Sequence, residues 1–192
     1  MKEIRIYFEG DSLLRAGFEE FFSEPLELAR KYRVDLRFIA AEDGPTAYEK
    51  ALRSNSKAVN ILLKDSEEPL PRDVRVLCRR RGIKPSREKS VFWMVQSMES
   101  WFLADPEAVE RYFNDQKFSR KALRNTADVE KIPKTDVFQR LRDATAKTKK
   151  GVYSKTGHAQ HLLGQLDPKL VQQRAPNCAR FFAALREMIA KQ

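Results

Sequence analysis

VNILLKDSEEPLP runs from Val59 to Pro71. Its first six residues, VNILLK, have the length and the Val, Ile and Leu content of a buried β-strand. Three carboxylates, Asp65, Glu67 and Glu68, follow almost at once, and proline then ends the pattern. Packing alone does not call for such an ending. Each carboxylate set beside another raises the cost of ionising all of them, unless water, a cation or a nearby base offsets the repulsion.

Three further runs share the strand composition: EIRIYF (3–8), VDLRFIA (34–40) and VFWMVQ (91–96). Helical spacing fills the gaps. Leu13, Leu14, Phe18, Phe21 and Phe22 recur at helical period after Asp11 or Ser12, either of which suits an N-cap, and Pro25 interrupts that segment or starts a second helix. PTAYEKALRSNS (45–56) predicts another helix, opened by Gly44-Pro45. Strands alternating with helices imply a parallel sheet with covering crossovers. Residues 68–90, rich in Arg, Lys and Pro, predict mostly loop with one helical turn. Beyond the fourth strand the pattern turns helical, at Met98–Ala104, Pro106–Phe113, Lys134–Ala146, His158–Gln165 and Cys178–Lys191. Trp93 and Trp101 lie in apolar contexts and are expected in the core.

The charge is divided along the chain. Of 192 residues with a formal net charge of +10, residues 1–114 carry 20 Lys+Arg against 20 Asp+Glu, and residues 115–192 carry 17 against 7. The reading is a neutral α/β domain over 1–114 and a basic helical extension over 115–192 packed on it. An excess confined to one part of the chain favours a polyanionic partner, nucleic acid ahead of membrane. No segment approaches the roughly 18 consecutive apolar residues of a membrane span. MKEIRIYFEG enters a strand pattern directly, without a signal peptide's apolar stretch, so a cytoplasmic location is expected. Cys78 and Cys178 are too few for a disulfide framework and are expected to be small buried side chains.

Ligands of open parallel sheets bind at the carboxyl ends of the strands. There the first strand delivers Glu9 and, past Gly10, Asp11; the third delivers Asp65 and Glu67; the fourth leads through Gln96, Ser97 and Met98 to Glu99. Clustered carboxylates suit a hard divalent cation, Mg²⁺ or Mn²⁺, which takes oxygen ligands. Two such ions about 4 Å apart activate water and stabilise the leaving oxygen in phosphodiester cleavage. The plainer alternative is that these are exposed loop acids.

FEGDS, LLKDSEEP and MVQSMESWFLAD, continuing through IPKTDVFQRLRDATAKTKKGVYSKTGHAQHLL and LDPKLV, resemble a bacterial Toprim-like family, domain of unknown function 4276. The resemblance covers nearly the whole chain, and MVQSMESWFLAD is its most specific element. The wider Toprim superfamily includes topoisomerases, primases and overcoming-lysogenisation-defect nucleases. Its pattern is a Glu after the first strand and an Asp-x-Asp after the third, matched here by Glu9 and by Asp65 with Glu67. In the related nucleases a Ser-x-Glu adds a ligand, which Ser97-Met98-Glu99 fits. The resemblance implies an α/β, Toprim-like, mostly parallel sheet of about four strands with metal held by Glu9, Asp65, Glu67 and Glu99. It also implies a role in anti-phage defence beside an ATPase partner. Two positions depart from the pattern: Glu67 is one methylene longer than Asp, and Leu13 stands where many Toprim nucleases have another acid.

KTKKGVYSKTGHAQH gathers Lys147, Lys149, Lys150, Lys155, His158 and His161 around Gly151, Tyr153 and Gly157. Lysines neutralise phosphates, glycines let the backbone approach, and a tyrosine offers a stacking face to an unpaired base. Either this segment folds against the carboxylates and holds a nucleic-acid backbone through Lys147, Lys149, Lys150, Tyr153 and Lys155, or it is a solvated loop. The resemblance gives Lys155 and His158 catalytic roles. A zinc site on His158 and His161 lacks a further Cys or His to complete it. Arg79–Arg81 suit either nucleic acid or an exposed helix face.

The expectation is a Mg²⁺- or Mn²⁺-dependent nuclease acting on DNA or RNA. The rival is a catalytically inactive Toprim-like module that binds nucleic acid or a partner, favoured by Leu13 and Glu67. A phosphatase of the haloacid-dehalogenase type is a third reading, but it needs a nucleophilic Asp where Glu9 stands.

Overall fold

A computed structural model describes residues 2–41, 43–54, 57–124 and 126–191. The four apolar runs form β1 (Lys2–Glu9), β2 (Val34–Ala41), β3 (Val59–Asp65) and β4 (Val91–Met94). They make one sheet in the order β2-β1-β3-β4, with every neighbouring pair parallel. From β1 the chain adds a strand on one side and then, with β3, on the other. The order reverses beside β1, and the crevice opens there, at the carboxyl ends of β1 and β3.

Eleven α-helices lie among the described residues: α1 (Ser12–Phe21), α2 (Ser23–Lys31), α3 (Gly44–Arg53), α4 (Val74–Arg80), α5 (Ser100–Ala104), α6 (Pro106–Phe113), α7 (Arg120–Leu123), α8 (Lys134–Thr145), α9 (Lys155–Leu163), α10 (Pro168–Arg174) and α11 (Pro176–Ala190). Their starts follow local chemistry. Asp11, Asp43 and Asp105 accept backbone N–H groups at the starts of α1, α3 and α6, with proline in the first turn of the latter two. Asn55 and Ser56, expected at the end of the third helix, lie outside the described residues.

Residues 68–90 depart from the loop expected there. Asp73 caps α4, a 3₁₀ helix covers Pro85–Ser90, and Leu77, Cys78 and Ile83 are buried. Two apolar side chains among arginines suffice to seat a two-turn helix on the sheet, too few to produce a readable period.

Strand alternation divides the core. Ile4, Ile6, Phe8, Ile61, Leu63 and Phe92 face one side, and Tyr7, Leu62 and Trp93 face the other with Tyr48, Leu77 and Cys78. On the first side an aromatic cluster joins both parts of the chain. Phe21 stacks on Trp101 at 5.1 Å, Phe22 on Phe182 at 4.6 Å, and Phe92 meets Phe181 at 4.8 Å between ring centroids. One core therefore runs across residues 114 and 115, because α11 covers the sheet. Trp93 and Trp101 are buried as their apolar contexts predict, and Cys78 and Cys178 are buried and unpaired.

The packing of α9 on α1 fixes one wall of the crevice. A Cβ on Gly17 would stand 2.5 Å from the Gln160 carbonyl oxygen and 3.2 Å from Leu163 Cβ. Only glycine lets these helices approach so closely, and that approach brings Lys155, the first residue of α9, over the strand ends.

No helix among the described residues is long and apolar enough to cross a membrane.

Candidate functional site

A cleft of about 640 Å³ lies over the strand ends, lined by Glu9, Asp65, Glu67, Asp11, Met94 and Lys155 among others. Parallel pairing sets Phe8 opposite Leu63 and Asp65 opposite Met94, so the residues that follow each strand emerge side by side. The four acids expected from the ends of β1 and β3, Glu9, Asp11, Asp65 and Glu67, thus meet in one cleft. Glu99 approaches from beneath, fully buried at the start of α5.

Lys155 links the buried pair. Its Nζ lies 3.7 Å from Asp65 Oδ2 and 3.8 Å from Glu99 Oε1, while 46% of its side chain stays open to solvent. Burial pushes the Asp65 carboxyl up from its ordinary 3.8 to about 7; Lys155 pulls it back and the Glu99 charge adds to the rise. The Met98 N–H donates to Asp65 Oδ1 at 2.9 Å and fixes its orientation. For Lys155 the largest influence is burial, which lowers its pKa, but Glu99, Asp65, Glu67 and Glu9 together hold it above its ordinary value. The remaining acids also find lysines: Glu9 pairs with Lys64 of β3, and Glu67 with Lys134 at the start of α8. Among the described residues no ready-made group of three Asp, Glu, His or Cys ligands is present, and Glu9, Asp65, Glu67 and Glu99 each turn toward a lysine.

The donor set nevertheless fits a hard cation. All four candidates offer carboxylate oxygens, the donors that Mg²⁺ and Mn²⁺ favour. Glu99 Oε2 and Ser97 Oγ, both from the Ser-x-Glu, are buried with no hydrogen-bond partner among the described residues. An orphaned buried carboxylate oxygen is costly, and a cation shared with Asp65 would relieve it.

Glu67 and Gln96 hold left-handed backbone conformations, with φ of 64° and 57°. Such strain persists in non-glycine residues only where surrounding bonds impose it. Here the Glu67 N–H donates to the Gln96 carbonyl at 3.0 Å, and the Gln96 N–H donates to Ser66 Oγ at 2.8 Å. The Gln96 side chain donates to the Glu130 carbonyl at 3.2 Å and accepts from the Lys134 N–H at 3.1 Å. Gln96 therefore holds Glu67 through its backbone carbonyl and the residue carrying Glu67's counterion through its side-chain amide. Sequence reasoning passed over Gln96, Lys64 and Lys134. The only sequence signal for Gln96 is an uncharged polar residue closing the apolar run VFWMV.

The lysine-rich segment divides. Lys155 enters the cleft. Lys147, Lys149 and Lys150 are exposed and none lines it; the Lys149 N–H donates to Asp115, and Lys150 Nζ sits 4.0 Å over the Tyr112 ring. Tyr153 corrects the stacking expectation. It is 5% exposed, its ring packs against Phe102, Phe138 and His158, and its hydroxyl donates to Glu99 Oε1 at 3.4 Å. Burial, then the Glu99 charge, pushes its phenol pKa up, so it stays a neutral donor. No face is left for a base.

His158 does not line the cleft and so departs from the catalytic role that the resemblance gives it. Its Nδ1 accepts from the Ser154 N–H at 3.0 Å, which leaves the proton on Nε2, 3.3 Å from the Lys150 carbonyl. Both nitrogens are engaged by backbone, and the ring lies among Tyr112, Phe113 and Tyr153. It braces the turn that presents Lys155. His161 is exposed and stacks on Tyr112. Asp11 lines the cleft, but its Oδ1 accepts from the Leu13 and Leu14 N–H groups at 3.0 and 3.1 Å. Leu13 is 56% exposed.

A family model described as Domain of unknown function (DUF4276) matches residues 11–186. The chain belongs to that family. Searches of curated proteins and of solved structures returned no match. The DUF4276 match takes in Asp65, Glu67, Gln96, Glu99, Lys134 and Lys155, while Glu9 stands just ahead of it.

Proposed function

We propose that the chain is a Mg²⁺- or Mn²⁺-dependent, Toprim-type nuclease that hydrolyses phosphodiester bonds of DNA or RNA. The observation that carries this reading is the convergence of Glu9, Asp65 and Glu67 in one cleft, with Lys155 tying Asp65 to the buried, half-satisfied Glu99. Glu9, Asp65, Glu67 and Glu99 are the residues that would hold the ion. When bound, it would supply positive charge against the phosphate and lower the pKa of water. Lys155 stays charged at neutral pH and is placed to meet a phosphate oxygen at the cleft mouth. Gln96 keeps Glu67 in place, and Tyr153 and His158 brace the turn behind Lys155.

The basic excess beyond residue 114 supports a polyanionic substrate. The Toprim resemblance supports a role as an anti-phage effector working with an ATPase. A cytoplasmic setting agrees with two buried free thiols.

Glu67→Gln removes a charge without removing volume. It is expected to abolish divalent-dependent cleavage while leaving the far-ultraviolet circular dichroism and the melting curve in place. Full activity in that variant would take Glu67 out of the mechanism.

The second reading, a non-catalytic module that binds nucleic acid or a partner, is favoured by the lysine pairing of Glu9, Asp65 and Glu67 and by exposed Leu13. Supercoiled plasmid, single-stranded DNA and transfer RNA, each with Mn²⁺ or with chelator, separate the two. Cleavage that chelator abolishes supports the nuclease, whereas binding without cleavage of any substrate supports the module.

A further inference from the structure

The carboxylate cleft does not end at Lys155. A chamber of about 190 Å³ shares Gly10, Asp11 and Lys155 with it and adds Leu14, Thr156 and Gln160. A third, of about 480 Å³, shares Ser12 with the cleft and Gln160 with the second chamber, and runs on past Leu13 to His161 and Gln165. Together they trace one open path from the acids, along the seam between α1 and α9, to the molecular surface. We propose that this seam binds a single unpaired nucleic-acid strand leading away from the carboxylate cleft. The proposal deepens the nuclease reading and rests on it for the identity of the polymer.

The seam's chemistry suits bases more than phosphates. Thr156, Gln160 and Gln165 are uncharged and offer both donors and acceptors, as base edges require. Leu13 presents an open apolar surface. His161 lines the outer chamber with its ring stacked on Tyr112, at 6.1 Å between centroids and 17° between planes. Lys150 Nζ sits 4.0 Å over the same Tyr112 ring, which places a cation one ring away from His161. A strand in the seam therefore meets Lys155 at its inner end and amides and a flat ring along its course, with Lys150 one ring beyond. Asp11 and Glu20 also line the path, and their charge turns the phosphate side outward.

The seam is a shallow groove with a closed floor: at Gly17 the two helices touch through backbone, a Cβ there falling 2.5 Å from the Gln160 oxygen. The chambers above that floor, about 190 and 480 Å³, have room for unpaired bases and not for a base-paired helix.

The test is fluorescence anisotropy in chelator, so that binding is read without cleavage, using labelled oligothymidine and a duplex of equal length. Leu13→Glu and His161→Ala alter exposed side chains, and unchanged thermal melting confirms that each variant is folded. Each is expected to weaken oligothymidine binding about tenfold, the scale of one lost base-stacking contact, and to leave duplex binding within about twofold. Equal weakening of both ligands, no weakening of either, or failure of the unaltered protein to bind oligothymidine would overturn the proposal. Selective loss in the variants together with no cleavage in Mn²⁺ keeps the seam and removes the nuclease reading, so the two fail separately.

Discussion

Asp65→Asn offers the sharpest measurement of the cleft's electrostatics. The Asp65 carboxyl moves from an ordinary 3.8 to about 7 on folding, with burial as the chief cause. A carboxyl whose folded pKa is raised binds its proton more tightly in the folded state. Its ionisation costs nothing below pH 3.8, then erodes stability progressively until about pH 7, where the penalty levels off. At 1.36 kcal/mol for each pH interval of one, the ceiling is about 4 kcal/mol. Asparagine keeps an oxygen for the Met98 N–H and cannot ionise. The variant should therefore match the unaltered protein near pH 4 and exceed it at pH 8 by up to about 4 kcal/mol, which at about 2–4 °C per kcal/mol is a clear rise in Tm. Calorimetric or dichroism melting across pH 4–8 in chelator reads the difference. Glu130, also raised by burial, contributes a similar slope to both proteins and drops out of it. Parallel pH profiles for the two proteins would refute the assignment of a desolvated, proton-retaining Asp65.

The other predictions concern the parts that hold the site. Gly17→Ala gains helix propensity but drives a Cβ to 2.5 Å from the Gln160 oxygen; a net loss of about 1–2 kcal/mol is expected as a lower urea midpoint at unchanged m, and a gain would deny the close approach. Gln96→Ala strips the Lys134 N–H of its acceptor and the Glu130 carbonyl of its donor at a buried position; urea unfolding should show a cost of about 2 kcal/mol, and a neutral result would mean that water replaces the amide. Lys150→Ala should weaken single strands and duplex alike and lower the slope of log K against log salt by about one; an unchanged slope would remove Lys150 from phosphate contact.

The sheet was legible because its signals are local. Four apolar runs of strand length and capping Asp or Pro residues at helix starts each lie within a few neighbouring positions. The meeting of Glu9, Asp65 and Glu67 followed from one further rule, that parallel strands deliver their carboxyl ends to the same edge. The partners of those acids were not legible. Lys64 lies 55 residues from Glu9, and Lys134 lies 67 residues from Glu67, so no periodicity connects them. Tyr153 and His158 misled for a related reason. A Lys- and Gly-rich context reads as surface, yet their rings enter a pocket assembled from Phe102, Tyr112, Phe113 and Phe138, residues of α5, α6 and α8. The helix α4 stayed hidden because arginines outnumber the buried positions that seat it.

The charge division along the chain has two physical meanings that the totals conflate. Part of the positive excess beyond residue 114 is internal, since Lys134 and Lys155 leave the helical part of the chain to neutralise acids supplied by the sheet. Those lysines are tied to the carboxylates now, and a divalent ion taking the carboxylates would release them toward any phosphate in the cleft. Lys147, Lys149 and Lys150 stay exposed and can attract a polyanion over a longer range, subject to screening by salt. Under the proposed nuclease reading, the cleft and the exposed lysines would act at different stages, one set drawing the polymer in and the other exchanging partners as it arrives. The same reading would give the shared core a use: a lysine that trades a carboxylate for a phosphate would need a fixed position relative to both. The Gly17 contact holds the helix that carries Lys155, and Phe181 and Phe182 hold the helical part of the chain on the sheet face.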